Sequence, residues 1–138
     1  MEMLMPDKKL RNMLQERGLK ATSQRMIILD YLMSHKTHPT AEMIHADLQS
    51  ISLATVYNTL EKLIDTGLVV VIDVNDDKRH FDYYGKPHYH IINQESHEII
   101  DANNFDVQPL IDAARKASGL NISGYHIELY GIDPKDAK

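Results

Sequence analysis

The chain has 138 residues, enough for one domain or two small ones sharing an interface, with an ordinary globular balance of 43% apolar and 25% charged residues. It contains no cysteine, so disulfides and thiolate metal sites are excluded, and any bound metal must take imidazole and carboxylate ligands. No apolar run approaches the roughly 18 residues of a membrane span, the first nine residues lack the charge order of a signal peptide, and a net charge of −5 gives no global attraction to nucleic acid, so a cytoplasmic protein is expected.

The first half reads as helices. Leu10, Met13 and Leu14 form an apolar stripe on a first helix that stops at Gly18. Thr22 or Ser23 caps a second, whose apolar positions are Met26, Ile27, Leu29, Leu32 and Met33. His38-Pro39 breaks the chain, and Thr40 caps a third helix with Ile44 and Leu48 on one face. Ser52 caps a fourth, Leu53 to Thr66, which buries Val56, Leu60, Leu63 and Ile64 and ends at Gly67. Leu68–Val74, a turn at Asn75-Asp76-Asp77 and Arg79–Tyr84 make a two-stranded ribbon. Helices followed by such a ribbon define a winged helix-turn-helix over residues 1–84. Residues 85–138 predict a small α/β domain: strands at His88–Asn93 and Glu98–Asp101 around a turn at Gln94–His97, a helix from Pro109 to Ser118 ended by Gly119, and a strand over Asn121–Tyr130. The fold class is therefore α+β. A sheet with one helix in about 50 residues is too small to be comfortable alone, so it should bury a face against a second copy.

A groove-reading helix needs short or polar groups on one face and an apolar anchor on the other. Thr55, Tyr57 and Asn58 supply the first, and Val56 and Leu60 the second. Asn pairs bidentately with adenine and Thr touches a thymine methyl; Lys20, Arg25 and Lys62 are phosphate-contact candidates. The charges favour this division. Residues 1–67 carry eight Lys/Arg and eight Asp/Glu, while residues 68–138 carry seven and twelve, with five of the eight histidines. The split fits a DNA half and a metal half, and also fits two ordinarily solvated surfaces.

His88-Tyr89-His90 is a His-x-His pair, and on a strand both imidazoles face one side. Asp82 and Asp101 lie on flanking predicted strands, and His38 precedes the third helix. Imidazoles with two carboxylates suit Mn²⁺, Fe²⁺, Co²⁺, Ni²⁺ or Zn²⁺ better than Ca²⁺ or Mg²⁺. Taken alone, the pair is a weak signal, more often an accident of surface histidines than a metal site. His80 shares the strand face of Asp82 and is an additional candidate; His35 and His45 are expected on helix surfaces, His97 in a turn and His126 in the last strand.

Together these segments resemble a known family. His38-Pro39-Thr40-Ala41-Glu42, Ser52 through Leu60, Gly67-Leu68-Val69, Arg79-His80-Phe81-Asp82, His88-Tyr89-His90 and Glu128-Leu129-Tyr130-Gly131 are similar, in order and spacing, to the ferric uptake regulator (Fur) family. The resemblance implies a homodimeric, DNA-binding transcriptional repressor with no enzymatic activity. Its regulatory metal, one per subunit, would be held at the hinge between domains by His38, Asp82, His88, His90 and Asp101. Asp at 82 and 101, and Asn58, are closest to the peroxide-sensing (PerR) branch. There Fe²⁺ or Mn²⁺ is the cellular metal, Zn²⁺ or Ni²⁺ would serve as occupants in a crystal, and the oxidation-prone ligands would be His38 and His88. The alternatives are an iron, manganese or zinc uptake regulator of the same family and, more remotely, a non-haem metalloenzyme. The family's two Cys-x-x-Cys pairs are here Asn93 and Ser96, then Asp133 and Asp136, so no structural zinc is expected. A further metal site found in some members is not expected either, since Pro87, Tyr89, Gln108 and Tyr125 replace its ligands. Double-stranded DNA and a second copy are the expected partners, with no membrane and no small-molecule substrate.

Overall fold

Thr22, Thr40 and Ser52 each accept a hydrogen bond from the backbone N–H three residues on, at Arg25, Met43 and Thr55. This satisfies one otherwise orphaned donor per helix and fixes where three helices begin. The computed structural model describes residues 3–84, 89–102, 105–122 and 124–135. Its elements are α1 (Asp7–Glu16), α2 (Ser23–Ser34), α3 (Ala41–Asp47), α4 (Leu53–Asp65), β1 (Val69–Asp73), β2 (Arg79–Tyr83), β3 (Tyr89–Asn93), β4 (Ile99–Ala102), α5 (Gln108–Ser118) and β5 (Ile127–Gly131). The chain separates into two compact units, Met1–Gly85 and Lys86–Lys138. Among the described residues no helix is long and apolar enough to cross a membrane.

In the N-terminal unit α1 and α4 end alike. Gly18 and Gly67 take left-handed φ values of 76° and 81°. Leu19 and Leu68 then donate back to the carbonyls of Leu14 and Leu63, while the two glycines donate to Gln15 and Ile64. This double closure caps the last carbonyls and needs a residue without a Cβ at the turn. The core joins Leu10 and Leu14 of α1 to Ile28, Leu29 and Leu32 of α2, Ile44 of α3, Val56, Leu60 and Leu63 of α4, and Phe81 of β2. Helix α2 departs from the single apolar face expected of it: Met26, Ile28, Leu29, Asp30, Tyr31 and Leu32 are buried, while Ile27 and Met33 are only partly so. It is enclosed on most of its circumference, and such a helix carries little one-sided pattern. The buried carboxylate of Asp30 accepts from the backbone N–H groups of Leu4 and Met5, at 3.0 and 2.7 Å, tying the start of the chain to α2.

β1 and β2 pair antiparallel from Val69↔Tyr83 to Asp73↔Arg79 and form the ribbon. At its turn Asn75 and Asp77 adopt positive φ, and the carboxylates of Asp73 and Asp76 accept from the N–H groups of Asn75 and Lys78. Arg79 also forms a 2.7 Å ion pair with Glu61 of α4. Because the Ser52 side chain caps α4, Ser52→Ala should destabilise this unit by about 1 kcal/mol. In a thermal melt that corresponds to a midpoint lower by roughly 4–8 °C for a domain of this size.

In the C-terminal unit the sheet order is β4-β3-β5, with β3 antiparallel to β4 and parallel to β5. Pro109 lies in the first turn of α5, and Gly119 closes that helix at φ 73°. The last strand is shorter than expected, Ile127–Gly131 in place of Asn121–Tyr130, so Tyr125 and His126 precede it. No residue of α5 is buried, and Ile100, Leu110, Leu120, Leu129 and Tyr130 are each at least 45% exposed.

Candidate metal and nucleic-acid sites

Each unit brings a buried histidine close to an aspartate, His38 to Asp82 and His90 to Asp101. In the N-terminal unit Nε2 of His38 lies 3.9 Å from a carboxylate oxygen of Asp82, and both side chains are buried, 7% and 3% exposed. Their proximity is local in origin. The carbonyl of Pro39 accepts from the N–H of Phe81 at 2.9 Å, which pins the segment after His38 to the strand bearing Asp82. His38 itself sits in the left-handed region, at φ 53°. His80 is drawn into the same arrangement. Its Nδ1 is 2.8 Å from the carbonyl of His38, and its Nε2 is 2.7 Å from Asp76 in the ribbon turn. Both ring nitrogens face protein partners, so His80 ties the ribbon turn to the His38 segment rather than offering a ligand. At Asp76 burial opposes ionisation, but the His80 contact and the N–H of Lys78 outweigh it and hold the carboxyl below its usual range.

In the C-terminal unit His90 on β3 lies directly opposite Asp101 on β4 and opposite Glu128 on β5. Directly opposed residues place their side chains on one sheet face. Nε2 of His90 is 3.4 Å from the Asp101 carboxylate, with His90 fully buried and the Asp101 side chain 36% exposed. His88 lies outside the described residues.

These spacings exceed the ideal N–H···O distance of about 2.9–3.0 Å. Two donors each about 2.0–2.2 Å from one metal ion stand roughly 3–4 Å apart. The donor chemistry and spacing within each pair therefore fit a first-row divalent metal.

Four of the groove-reading candidates, Arg25, Thr55, Asn58 and Lys62, line one cleft of about 300 Å³ together with Thr22 and Gln24 of the α2 start, whereas Tyr57 lies outside it beside Glu42. Asn58 and Lys62 are exposed. The Arg25 guanidinium donates to the carbonyl of Lys20 at 3.1 Å, so these two candidates are linked. Gln24 was not legible as a site residue, because a polar residue in a first helical turn is unremarkable until α4 is placed beside it. Tyr57 is 38% exposed, and its hydroxyl donates to Glu42 of α3 at 2.5 Å. That bond lowers the carboxyl of Glu42 and raises the hydroxyl of Tyr57.

The expected surface histidines are placed in the structure as follows. His35 is exposed at the end of α2 and His97 is exposed in the turn, while His45 is half-buried with Nδ1 2.8 Å from the carbonyl of Ile51. At the positions where cysteines were looked for, the Asn93 side chain accepts from the N–H groups of Glu95 and Ser96, and the Asp133 side chain from Lys135. Asp136 lies outside the described residues. Gln108 donates to Asp112, and Tyr89 packs edge-on against Phe105.

A helical unit with a two-stranded wing, followed by a small α/β unit, each carrying a His–Asp pair, is the layout of a winged-helix regulator. The sequence profile of the ferric uptake regulator family matches residues 16–130, and the chain belongs to that family. Its members are metal-binding transcriptional regulators that act as DNA-binding dimers, and they are not enzymes. A peroxide-responsive repressor, PerR, of Staphylococcus aureus is 33% identical over 123 residues, which cover 86% of this chain and 83% of that protein. The structure of the ferric uptake regulator of Pseudomonas aeruginosa with manganese superposes with a TM-score of 0.77 at 25% identity, covering 90% of this chain and 97% of that one. PerR of Streptococcus pyogenes superposes with a TM-score of 0.53 at 29% identity, covering 97% and 95%.

Proposed function

We propose that the chain is a homodimeric, cytoplasmic repressor that binds a double-stranded DNA operator when loaded with one divalent metal per subunit, and that peroxide relieves it. The observation that carries this reading is a buried imidazole at metal-bridging distance from an aspartate in each unit: His38 with Asp82, and His90 with Asp101. With His88 these form the ligand set. Metal binding favours the DNA-competent state by its differential affinity for that state. Asn58 and Thr55 read base edges, Tyr57 lies beside them, and Lys20, Arg25 and Lys62 contact phosphates. The apolar surface left on α5 and the C-terminal sheet, Ile100, Leu110 and Leu129 among it, supports pairing with a second copy. The turn at 93–97 is held by the Asn93 side chain, which supports a dimer domain without structural zinc.

The peroxide reading rests on Asp82, Asp101 and Asn58, and on the identity to the Staphylococcus aureus repressor. Fe²⁺ in the site would supply the electron that activates hydrogen peroxide, with His38 and His88 as the oxidised residues. A second reading, an iron, manganese or zinc uptake regulator, is favoured by the higher structural similarity to the Pseudomonas aeruginosa protein with manganese. Operator binding measured with Fe²⁺, Mn²⁺ and Zn²⁺ in turn, with and without peroxide, separates them. The expected result is metal-dependent binding that peroxide abolishes only with Fe²⁺, with added oxygen on the His38 or His88 peptide by mass spectrometry. Binding indifferent to peroxide would transfer the assignment to metal uptake, and binding indifferent to metal would overturn both readings.

A further inference from the structure

Nδ1 of His90 lies 3.1 Å from Nε2 of His126, the ring centroids being 5.2 Å apart and the planes at 72°. The opposite edge of His90, Nε2, faces Asp101. We propose that His126 is a positioning residue for the regulatory metal, selecting the tautomer and ring orientation in which His90 offers Nε2 to the ion. This rests on the metal reading above.

The argument is one of proton accounting. A metal on Nε2 of His90 needs the lone pair there, so the ring proton must sit on Nδ1. That N–H points at Nε2 of His126, which must then accept. In that arrangement the ring proton of His126 sits on Nδ1. Metal-bound histidines generally donate their second N–H to an acceptor that fixes the ring. Here the acceptor is another imidazole. The same Nε2 of His126 is 4.0 Å from the carboxylate of Glu128, beyond hydrogen-bond distance, and that carboxylate accepts instead from the hydroxyl of Tyr130. His126, Glu128 and Tyr130 all come from β5 or the residue before it, the strand paired in parallel with β3. The last strand thus aligns the ligand from behind while Asp101 faces it in front.

The test uses the full chain and Co²⁺ or Zn²⁺ as the probe, comparing wild type, His126→Ala, His126→Gln and His90→Gln, each checked for folding by circular dichroism. Removing the acceptor should weaken metal binding by roughly 10- to 100-fold. His126→Gln, whose amide oxygen can still accept, should bind close to wild type. Nitrogen-detected imidazole spectra of Zn²⁺-loaded wild type should show His90 protonated on Nδ1 and metallated on Nε2. His126→Ala binding like wild type, His126→Gln no better than His126→Ala, or His90 metallated through Nδ1 would each overturn the proposal. The spectral result holds even if the alanine variant fails to fold. If wild type binds no metal, or His90→Gln binds as wild type does, the metal reading itself fails, and that outcome is separate.

Discussion

Replacing His90 by glutamine should abolish metal-stimulated operator binding while leaving metal-free binding unchanged. The substitution keeps most of the side-chain volume in a fully buried position and exchanges an imidazole for an amide, a poor ligand for first-row metals. To move a two-state protein from about 1:99 to 99:1 a ligand must favour one state by about 10⁴-fold, roughly 5.5 kcal/mol. Losing a buried donor removes a large part of that preference. At a metal concentration that saturates wild type, the variant's operator affinity should be lower by roughly tenfold or more, about 1.4 kcal/mol. Titrations by fluorescence anisotropy with and without Mn²⁺ measure this directly. A variant that keeps the wild-type ratio of metal-loaded to metal-free affinity would remove His90 from the regulatory site. His35 and His97, both exposed, are the matched controls and should change nothing.

The second large effect concerns stability. Phe81 is 1% exposed at the centre of the N-terminal core, on β2 between His80 and Asp82, and its N–H holds the carbonyl of Pro39. Phe81→Ala should cost about 3–5 kcal/mol through lost burial and the cavity left behind. Whole domains are stable by only about 5–15 kcal/mol, so denaturant melts should show the N-terminal unit close to unfolded at ambient temperature. Operator binding should disappear with it, because the ring anchors the strand that carries Asp82 and the ribbon. An unchanged denaturation midpoint would contradict the packing of β2 against the helices.

Much of this arrangement is written locally. The caps at Thr22, Thr40 and Ser52 and the stops at Gly18, Gly67 and Gly119 all follow from chemistry within four or five residues, and those helix ends appear where that chemistry puts them. The burial of α2 was not legible. A helix enclosed on most sides has no polar face to announce which side packs where. Register was also out of reach. That His90 stands opposite Asp101 and Glu128 depends on which strands pair and at what offset, and hydrophobic alternation fixes only which residues share a face. His126 escaped for the same reason. Counted as part of a long final strand it belonged to an alternating pattern, whereas it precedes a strand that begins at Ile127. On sequence alone His80 stays open as an additional ligand candidate, because sharing a strand face with Asp82 says nothing about the carbonyl and carboxylate that its nitrogens face.

The φ of 53° at His38 has an evolutionary consequence. A residue with a Cβ pays about 1–2 kcal/mol in the left-handed region, and glycine would sit there without that cost. That conformational gain from glycine would be set against the loss of a buried side chain beside Asp82, and it would delete an imidazole donor. Backbone conformation and regulation therefore favour different residues at position 38. A thermostabilised descendant of this protein that carries glycine there would be expected to have lost its signal while keeping its fold.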